Sequence, residues 1–298
     1  MNRFIFFRAI FLLAVIGLFS CEKPVFDTDP DIEGQEGQEL YRLSFSVGTF
    51  EQIPWDDHLY PARATPVTEV CRKISFALFK NGERIKNLHQ TNTDANFGKI
   101  SVTLPAGQYQ VVAIAHNNEG TATITSPEEV TFPKNKLAET FYYCQNINVG
   151  ANQSYELTMK RPVAMFRLVA ADKIPDDIKT IRFYYTGGSS TLNPSTGLGS
   201  KNSRQTEERT VTEEQRNGNA NFDIYTFPHA QTGKLKITVS ALSASGDEIS
   251  KRVFDEVPIK IGQITRYTGN LFKGTGPAES GSFSFVVDQE WTQQDYRF

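Results

Sequence analysis

The sequence predicts an all-β protein made of two sandwiches in tandem. Three observations carry that expectation. The composition is rich in strand formers, with 22 Phe and 11 Tyr beside many Val, Ile and Thr. Short alternating runs recur along the chain, separated by Gly, Pro and Asn turn residues. No segment carries a strong helical period. A length of 298 residues suits about two domains.

The first 20 residues are set apart from this pattern. Arg3 and Arg8 precede the apolar run Ala9 to Gly17. The run is long enough for a signal-peptide core and falls short of the roughly 20 residues that span a bilayer. It ends in Leu18-Phe19-Ser20-Cys21, which looks like a bacterial lipobox, although Phe19 stands where a small or β-branched residue is usual. Lipidation of Cys21 would hold the chain on a membrane, because each buried acyl CH₂ contributes about 0.8 kcal/mol and several chains share one cysteine. The alternative is an ordinary secretory signal in which Cys21 is incidental. Residues 21–39 are acidic, contain Pro and Gly, and suit a flexible tether. Asp27, Asp29 and Asp31 within it lack the glycine and glutamate offsets of an EF-hand.

Residues 40–160 form the expected N-terminal sandwich. Leu43, Phe45 and Val47 alternate and share one face. Ile74 to Phe79 meets Asn81-Gly82, a strong hairpin signal, because both positions tolerate positive φ. Ile100 to Leu104 is followed by the turn Pro105-Ala106-Gly107 and a strand from Gln108 to Ala115. Phe141 to Tyr143 and Ser154 to Met159 complete the group.

Residues 161–298 form the expected C-terminal sandwich. Val163 to Ala170 is mostly apolar, and Ile181 to Tyr185 follows. The stretch 187–221 holds almost no large apolar side chains and is expected to be a long loop. Strands resume at Phe222–Phe227, Leu235–Leu242, Ile249–Phe254 and Ile264–Phe272. The turns into Tyr109–Ala115 and Leu235–Leu242 occupy comparable places, which makes an internal duplication plausible.

The search for chemistry is negative. His58, His89, His116 and His229 make no local metal pair, and His116 is expected at the solvent end of a strand. No nucleophile elbow, Walker loop or dinucleotide fingerprint occurs, and Gly197-Leu198-Gly199 is expected in a flexible loop. Asp176-Asp177 and Glu207-Glu208 look solvated. No metal site, no cofactor and no enzymatic activity are expected. Losing Arg3 and Arg8 with the signal leaves 29 basic against 34 acidic residues, a net charge near −5 that excludes a nucleic-acid partner. Cys71 and Cys144 are a possible disulfide in an exported chain, or two small buried hydrophobes. Trp55 and Trp291 are candidates for stacking on sugars, with core or edge packing as the alternative.

Several segments together resemble the fimbrial anchor and accessory lipoproteins of Bacteroidales, the FimB/Mfa2 type. They are Leu18 to Cys21, Ile74 to Gly82, Leu104-Pro105-Ala106-Gly107 through Ala113, Arg161-Pro162-Val163-Ala164 and Ile174-Pro175. The resemblance implies two transthyretin-like β-sandwich domains, no catalysis, a lipid anchor in the outer membrane, and a pilus held at the cell surface through contact with fimbrial pilin subunits. It also implies cell adhesion as the wider role. Strand complementation is the expected means of contact. Phe283, Phe285 and Val287 alternate in the tail and form a candidate donor strand, the alternative being the last strand of the second sandwich. Arg63 is a candidate processing site, since cleavage there would move the chain into the polymerising stalk or tip class. A surface glycan-binding lipoprotein is the remaining alternative.

Overall fold

The computed structural model describes residues 38–51, 66–217 and 220–272, and the backbone of two tail strands. The first group of strands is β1 (Leu40–Phe50), β2 (Lys73–Lys80), β3 (Glu83–Thr91), β4 (Lys99–Pro105), β5 (Gly107–His116), β6 (Thr123–Ser126), β7 (Glu129–Thr131), β8 (Thr140–Val149) and β9 (Gln153–Met159). The second group is β10 (Ala164–Ala170), β11 (Thr180–Gly188), β12 (Leu192–Asn193), β13 (Leu198–Gly199), β14 (Ser203–Thr210), β15 (Ala220–Thr226), β16 (Thr232–Leu242), β17 (Glu248–Lys260) and β18 (Ile264–Gly269). The tail adds β19 (Ser284–Val287) and β20 (Gln294–Arg297). The fold is all-β, and its helical content among the described residues is limited to short turns such as Val67–Val70.

Each group makes two sheets with the same plan. The first has orders β4-β1-β9 and β3-β2-β5-β8; the second has β15-β10-β18 and β14-β11-β16-β17. In both, the leading strand lies between an antiparallel and a parallel neighbour. The turn at Pro105–Gly107 leads into β5 and the turn at 228–231 into β16, whose strand already includes Thr232 and Gly233; β5 and β16 hold equivalent places. The duplication is therefore visible in topology.

Alternation places the core. Leu43, Phe45 and Val47 are fully buried on one face of β1, and the Phe45 ring lies 5.0 Å from Phe76 in the facing sheet. The Asn81-Gly82 hairpin forms as expected, with φ of 53° and 82°. Pro105–Gly107 instead carries the chain between sheets, and the Tyr109 hydroxyl donates to the Pro105 carbonyl at 2.9 Å. In the second group Phe166, Leu168, Phe183, Ile237, Val239 and Tyr267 belong to one buried cluster.

The two groups are joined by a further sheet, ordered β13-β12-β7-β6, with two strands from each. Leu192 pairs with Val130, and both are fully buried. The Ser195 amide and hydroxyl both donate to the Pro127 carbonyl, at 3.0 and 2.8 Å. Gly197 sits where a Cβ would stand 2.1 Å from the Tyr142 hydroxyl oxygen, so only glycine fits. This joining sheet covers the outer face of β2 and β5, where Ala77, Phe79, Val112 and Ile114 cluster with Ile124, Val130, Leu192 and Phe227. The sheet containing β2 and β5 is thus buried on both faces. That is why Ile74–Phe79 and Val111–His116 are buried without interruption, rather than alternating as a half-exposed strand does.

Three expectations are corrected here, and one open alternative is decided. The stretch 187–221 is not one long loop; it holds β12, β13, β14 and the start of β15. Gly197-Leu198-Gly199 accordingly runs into β13 rather than a flexible loop. Glu207 is buried at 4% exposure rather than solvated, and takes Arg209 at 3.0 Å and Lys136 at 3.5 Å. Cys71 and Cys144 are both free thiols. Register explains the last point: Lys73, His116 and Thr140 lie level across β2, β5 and β8, whereas Cys144 lies level with Ala77. Four strand residues, about 13 Å, separate those levels, and a disulfide needs Cα atoms within roughly 7 Å.

His116 is also placed differently from expectation, fully buried at the end of β5. Its Nδ1 accepts the Asn118 amide at 3.2 Å and its ring meets Phe132 edge-on at 5.5 Å. Burial, then the Lys73 and His89 charges, push it down to about 4. A proton is therefore refused by the fold but taken by the unfolded chain, whose histidine titrates near 6.5. Stability is unaffected above pH 6.5, falls as pH drops from 6.5 to 4, and the full loss is about 3 kcal/mol. Urea titrations at pH 7 and pH 4 should show this loss in the wild type, and His116→Phe should shrink the pH-dependent difference by about that amount. Free thiols make a second prediction. A maleimide should label the half-buried Cys144 in the folded protein, while Cys71, buried and pushed up to about 12 by burial first, should label only on denaturation. A reducing agent should leave the melting temperature unchanged.

Candidate functional site

Enzyme-like geometry is missing among the described residues. No group of three or more His, Cys, Asp or Glu side chains converges to hold a metal there. A cleft of about 460 Å³ lies over Phe79, Gln108, Gln110, Asn146 and Asn148, beside Asn81. Its polar lining is carboxamide together with Tyr109, whose hydroxyl is committed to the Pro105 carbonyl at 2.9 Å, so it offers chiefly neutral hydrogen bonding.

The histidines have structural partners. His89 Nδ1 lies 3.1 Å from the Ser75 hydroxyl, and burial pushes its affinity for a proton down. His229 Nδ1–H donates to the Gly199 carbonyl at 2.9 Å. His58, Trp55 and Trp291 lie outside the described residues, as do Cys21, Arg63 and Phe283. Asp176 and Asp177 are exposed. Cys144 Sγ lies 3.8 Å from the Ser195 hydroxyl and accepts the Gln110 amide at 3.5 Å, which ties this thiol into the joint between the groups.

What the geometry does present is strand edges. The tail adds to the sheet of the second group in the order β15-β10-β18-β20-β19. Gln294 to Arg297 run parallel to Thr265 to Thr268, and Ser284 to Val287 run antiparallel beside them. Phe285 and Val287 of the candidate donor therefore lie in the outermost strand. A terminal strand leaves a row of backbone N–H and C=O groups unpaired, which is a template for another chain. The sequence anticipated β19 but not β20, whose four residues include Gln294, Asp295 and Arg297 and lack an apolar alternation.

A buried carboxylate fixes the root of this tail. Asp172 is 3% exposed, and its two oxygens accept the Leu271 and Phe272 amides, each at 2.8 Å. The joint between the groups has a comparable clamp. Arg161, 5% exposed, donates to Glu139 at 2.6 Å and lies 5.0 Å from the centre of the Phe141 ring. Neither role was legible beforehand, because a single Asp after a strand and a single Arg before a proline carry no local signal.

No curated protein sequence matches the chain. A solved structure named for polysaccharide binding, from Bacteroides thetaiotaomicron, has 15% identity over 71% of this chain and 79% of its own, with a TM-score of 0.49. One named as a cell adhesion protein, from Bacteroides eggerthii, has 11% identity over 87% and 98%, with a TM-score of 0.42. The fimbrial anchor protein Mfa2 from Porphyromonas gingivalis has 11% identity over 72% and 82%, with a TM-score of 0.38. The model of the fimbrillin-A associated anchor proteins Mfa1 and Mfa2 matches residues 36–295, and the chain belongs to that family.

Proposed function

We propose that the chain is a cell-surface fimbrial anchor or accessory subunit, held in the outer membrane by lipid on Cys21 and joined to a pilin by β-strand complementation. The observation that carries the reading is the tail: a two-stranded arm, β19 and β20, lies at the edge of a sheet with its root clamped by Asp172. Such an arm offers unpaired backbone to a partner strand, and main-chain pairing supplies the affinity. The chain acts by holding, not by catalysis.

The position of β1 supports an uncut anchor over a stalk or tip subunit cleaved after Arg63. β1 is the central strand of its sheet, and Leu43, Phe45 and Val47 are 0 to 2% exposed. Burying such side chains contributes about 1.5–3 kcal/mol each. Cleavage after Arg63 would sever β1 from the body, and losing it would part β4 from β9. An intact chain keeps the strand and the lipid on one polypeptide. A second reading, glycan binding, draws on the carboxamide cleft over Gln108, Gln110, Asn146 and Asn148, whose neutral donors and acceptors suit hydroxyl-rich ligands.

Mass spectrometry of the membrane-bound form should find an acylated Cys21 peptide, and a mature N-terminus at Ala64 would overturn the anchor reading. Cys21→Ser should release the protein and its fimbriae into the medium. Deleting residues 282–298 should leave the lipid attachment intact and abolish co-purification of the pilin. Retention of polysaccharide but not pilin in the same pull-down would favour the glycan reading.

A further inference from the structure

Side chains of the first sandwich hold one edge of the joining sheet. β6 is the terminal strand of that sheet. Three alternate carbonyls running into it each accept a bond from β2 or β3. Gly120 takes Lys73 Nζ at 2.8 Å, Ala122 takes the Ser75 hydroxyl at 3.1 Å, and Ile124 takes Arg84 Nη1 at 2.6 Å. Two histidines stand among these donors. Ser75 pairs with His89 across β2 and β3, and Lys73 pairs with His116 across β2 and β5.

Both rings are bonded as neutral imidazoles. Ser75 has one hydroxyl hydrogen and gives it to Ala122, so its 3.1 Å contact with His89 requires a hydrogen on Nδ1. His89 Nε2 then accepts from the Asn87 amide at 3.1 Å. His116 Nδ1 accepts the Asn118 backbone amide, so its hydrogen sits on Nε2, which has no hydrogen-bond partner among the described residues. A second proton on either ring lands on the nitrogen that now accepts, and sets donor against donor.

The surrounding charge makes that proton costlier. Arg84 acts on His89, and Lys73 and His89 act on His116. The acids nearby are engaged elsewhere or face water: Glu139 takes Arg161, Glu129 takes Lys201, and Glu119 is exposed, as is Lys134. The buried Cys71 thiol precedes Arg72, whose amide binds the His116 carbonyl, and it stays neutral. His116 is also coupled to the joint. Phe132 meets it edge-on at 5.5 Å and lies 5.7 Å from Phe227 of the second group. Letting water reach Nε2 by moving Phe132 therefore parts Phe132 from Phe227. The core on the opposite face of β2, where Phe76 meets Phe45, is not touched by either ring.

We propose that the joining sheet is an acid-released latch: protonation of His89 and His116 frees the β6 edge and Phe132 from the first sandwich and uncouples the two groups while both sandwiches stay folded. The closed form refuses the protons and the open form takes them, so opening grows as pH falls below the ordinary histidine range near 6.5. The latch draws on neither the lipid nor a pilin, so it stands or falls separately from the anchor reading.

Hydrogen exchange read by mass spectrometry on the full mature chain tests it, with rates corrected for the intrinsic effect of pH. Between pH 7 and pH 5, Ile124, Val130 and Leu192 should lose protection about twentyfold through His116 alone, while Val111 and Val239 in the sandwich centres keep theirs. The double variant His89→Gln, His116→Phe should keep the wild-type circular dichroism and lose the acid effect; His116→Met replaces His116→Phe should the double variant fold poorly. Unchanged protection of the joining sheet at pH 5 overturns the proposal. Equal loss in the joining sheet and the sandwich centres overturns it too, because the whole fold then opens together. An acid effect that persists in the double variant assigns the trigger to other groups and has the same consequence.

Discussion

The structure depends on two leading strands, β1 and β10, each buried between an antiparallel and a parallel neighbour. A parallel neighbour cannot be reached by a tight turn, so the chain must travel through the rest of its group before β9 or β18 returns to the leading strand's side. The first and last strands of each group therefore close it. Closure makes the leading strand a cooperative element: its side chains form part of the core, and its backbone holds the sheet on both sides. For β1 the same strand follows the N-terminal segment that carries Cys21. Any pull on that end loads β1 in the middle of a ladder rather than at its rim.

The second constraint is the sheet buried on both faces. Covering β2 and β5 with the joining sheet removes the outer face of the first sandwich from water and gives the two groups a common core through Val130, Leu192 and Phe227. Strands contributed by both groups, the Ser195 bonds to Pro127 and the Arg161–Glu139 pair then restrain the joint. An arrangement of this kind resists hinge motion, because opening it exposes apolar surface and breaks backbone hydrogen bonds together.

Legibility in the sequence follows from which side chains face inward. Leu43, Phe45 and Val47 declared β1, and Asn81-Gly82 declared the β2–β3 hairpin, because an apolar alternation and a positive-φ turn are local signals. β14 stayed hidden because its inward positions are Gln205 and Glu207. Gln205 donates to the Tyr185 hydroxyl at 3.1 Å, and Glu207 takes Arg209. A strand whose buried positions are polar and satisfied has the composition of a loop. β12 and β13 are two residues each and exist because the joining sheet pairs them. The tail was legible at β19 through Phe285 and Val287, while β20 is defined by its pairing with β18. The cysteine pair stayed open between a disulfide and two free thiols because sequence gives residue types and spacing but not the level of each residue across three strands.

The buried ionisable groups show how the fold uses polarity. Asp172 satisfies two amides at the root of the tail, Arg161 meets Glu139 at the joint, and Glu207 closes a polar inner row of β14. Burying a charge is costly unless it is paired or hydrogen-bonded, and here the partners are backbone amides, carbonyls or opposite charges. Asp172 and Arg161 lie where the chain leaves a regular sheet or passes between groups, places that apolar packing alone fixes poorly, while Glu207 lies within the β14 ladder. Directional bonds set angles that dispersion contacts do not. The interior polarity is turned here toward the chain's own exits, joints and inner strand row, where Asp172, Arg161 and Glu207 find their partners within the fold.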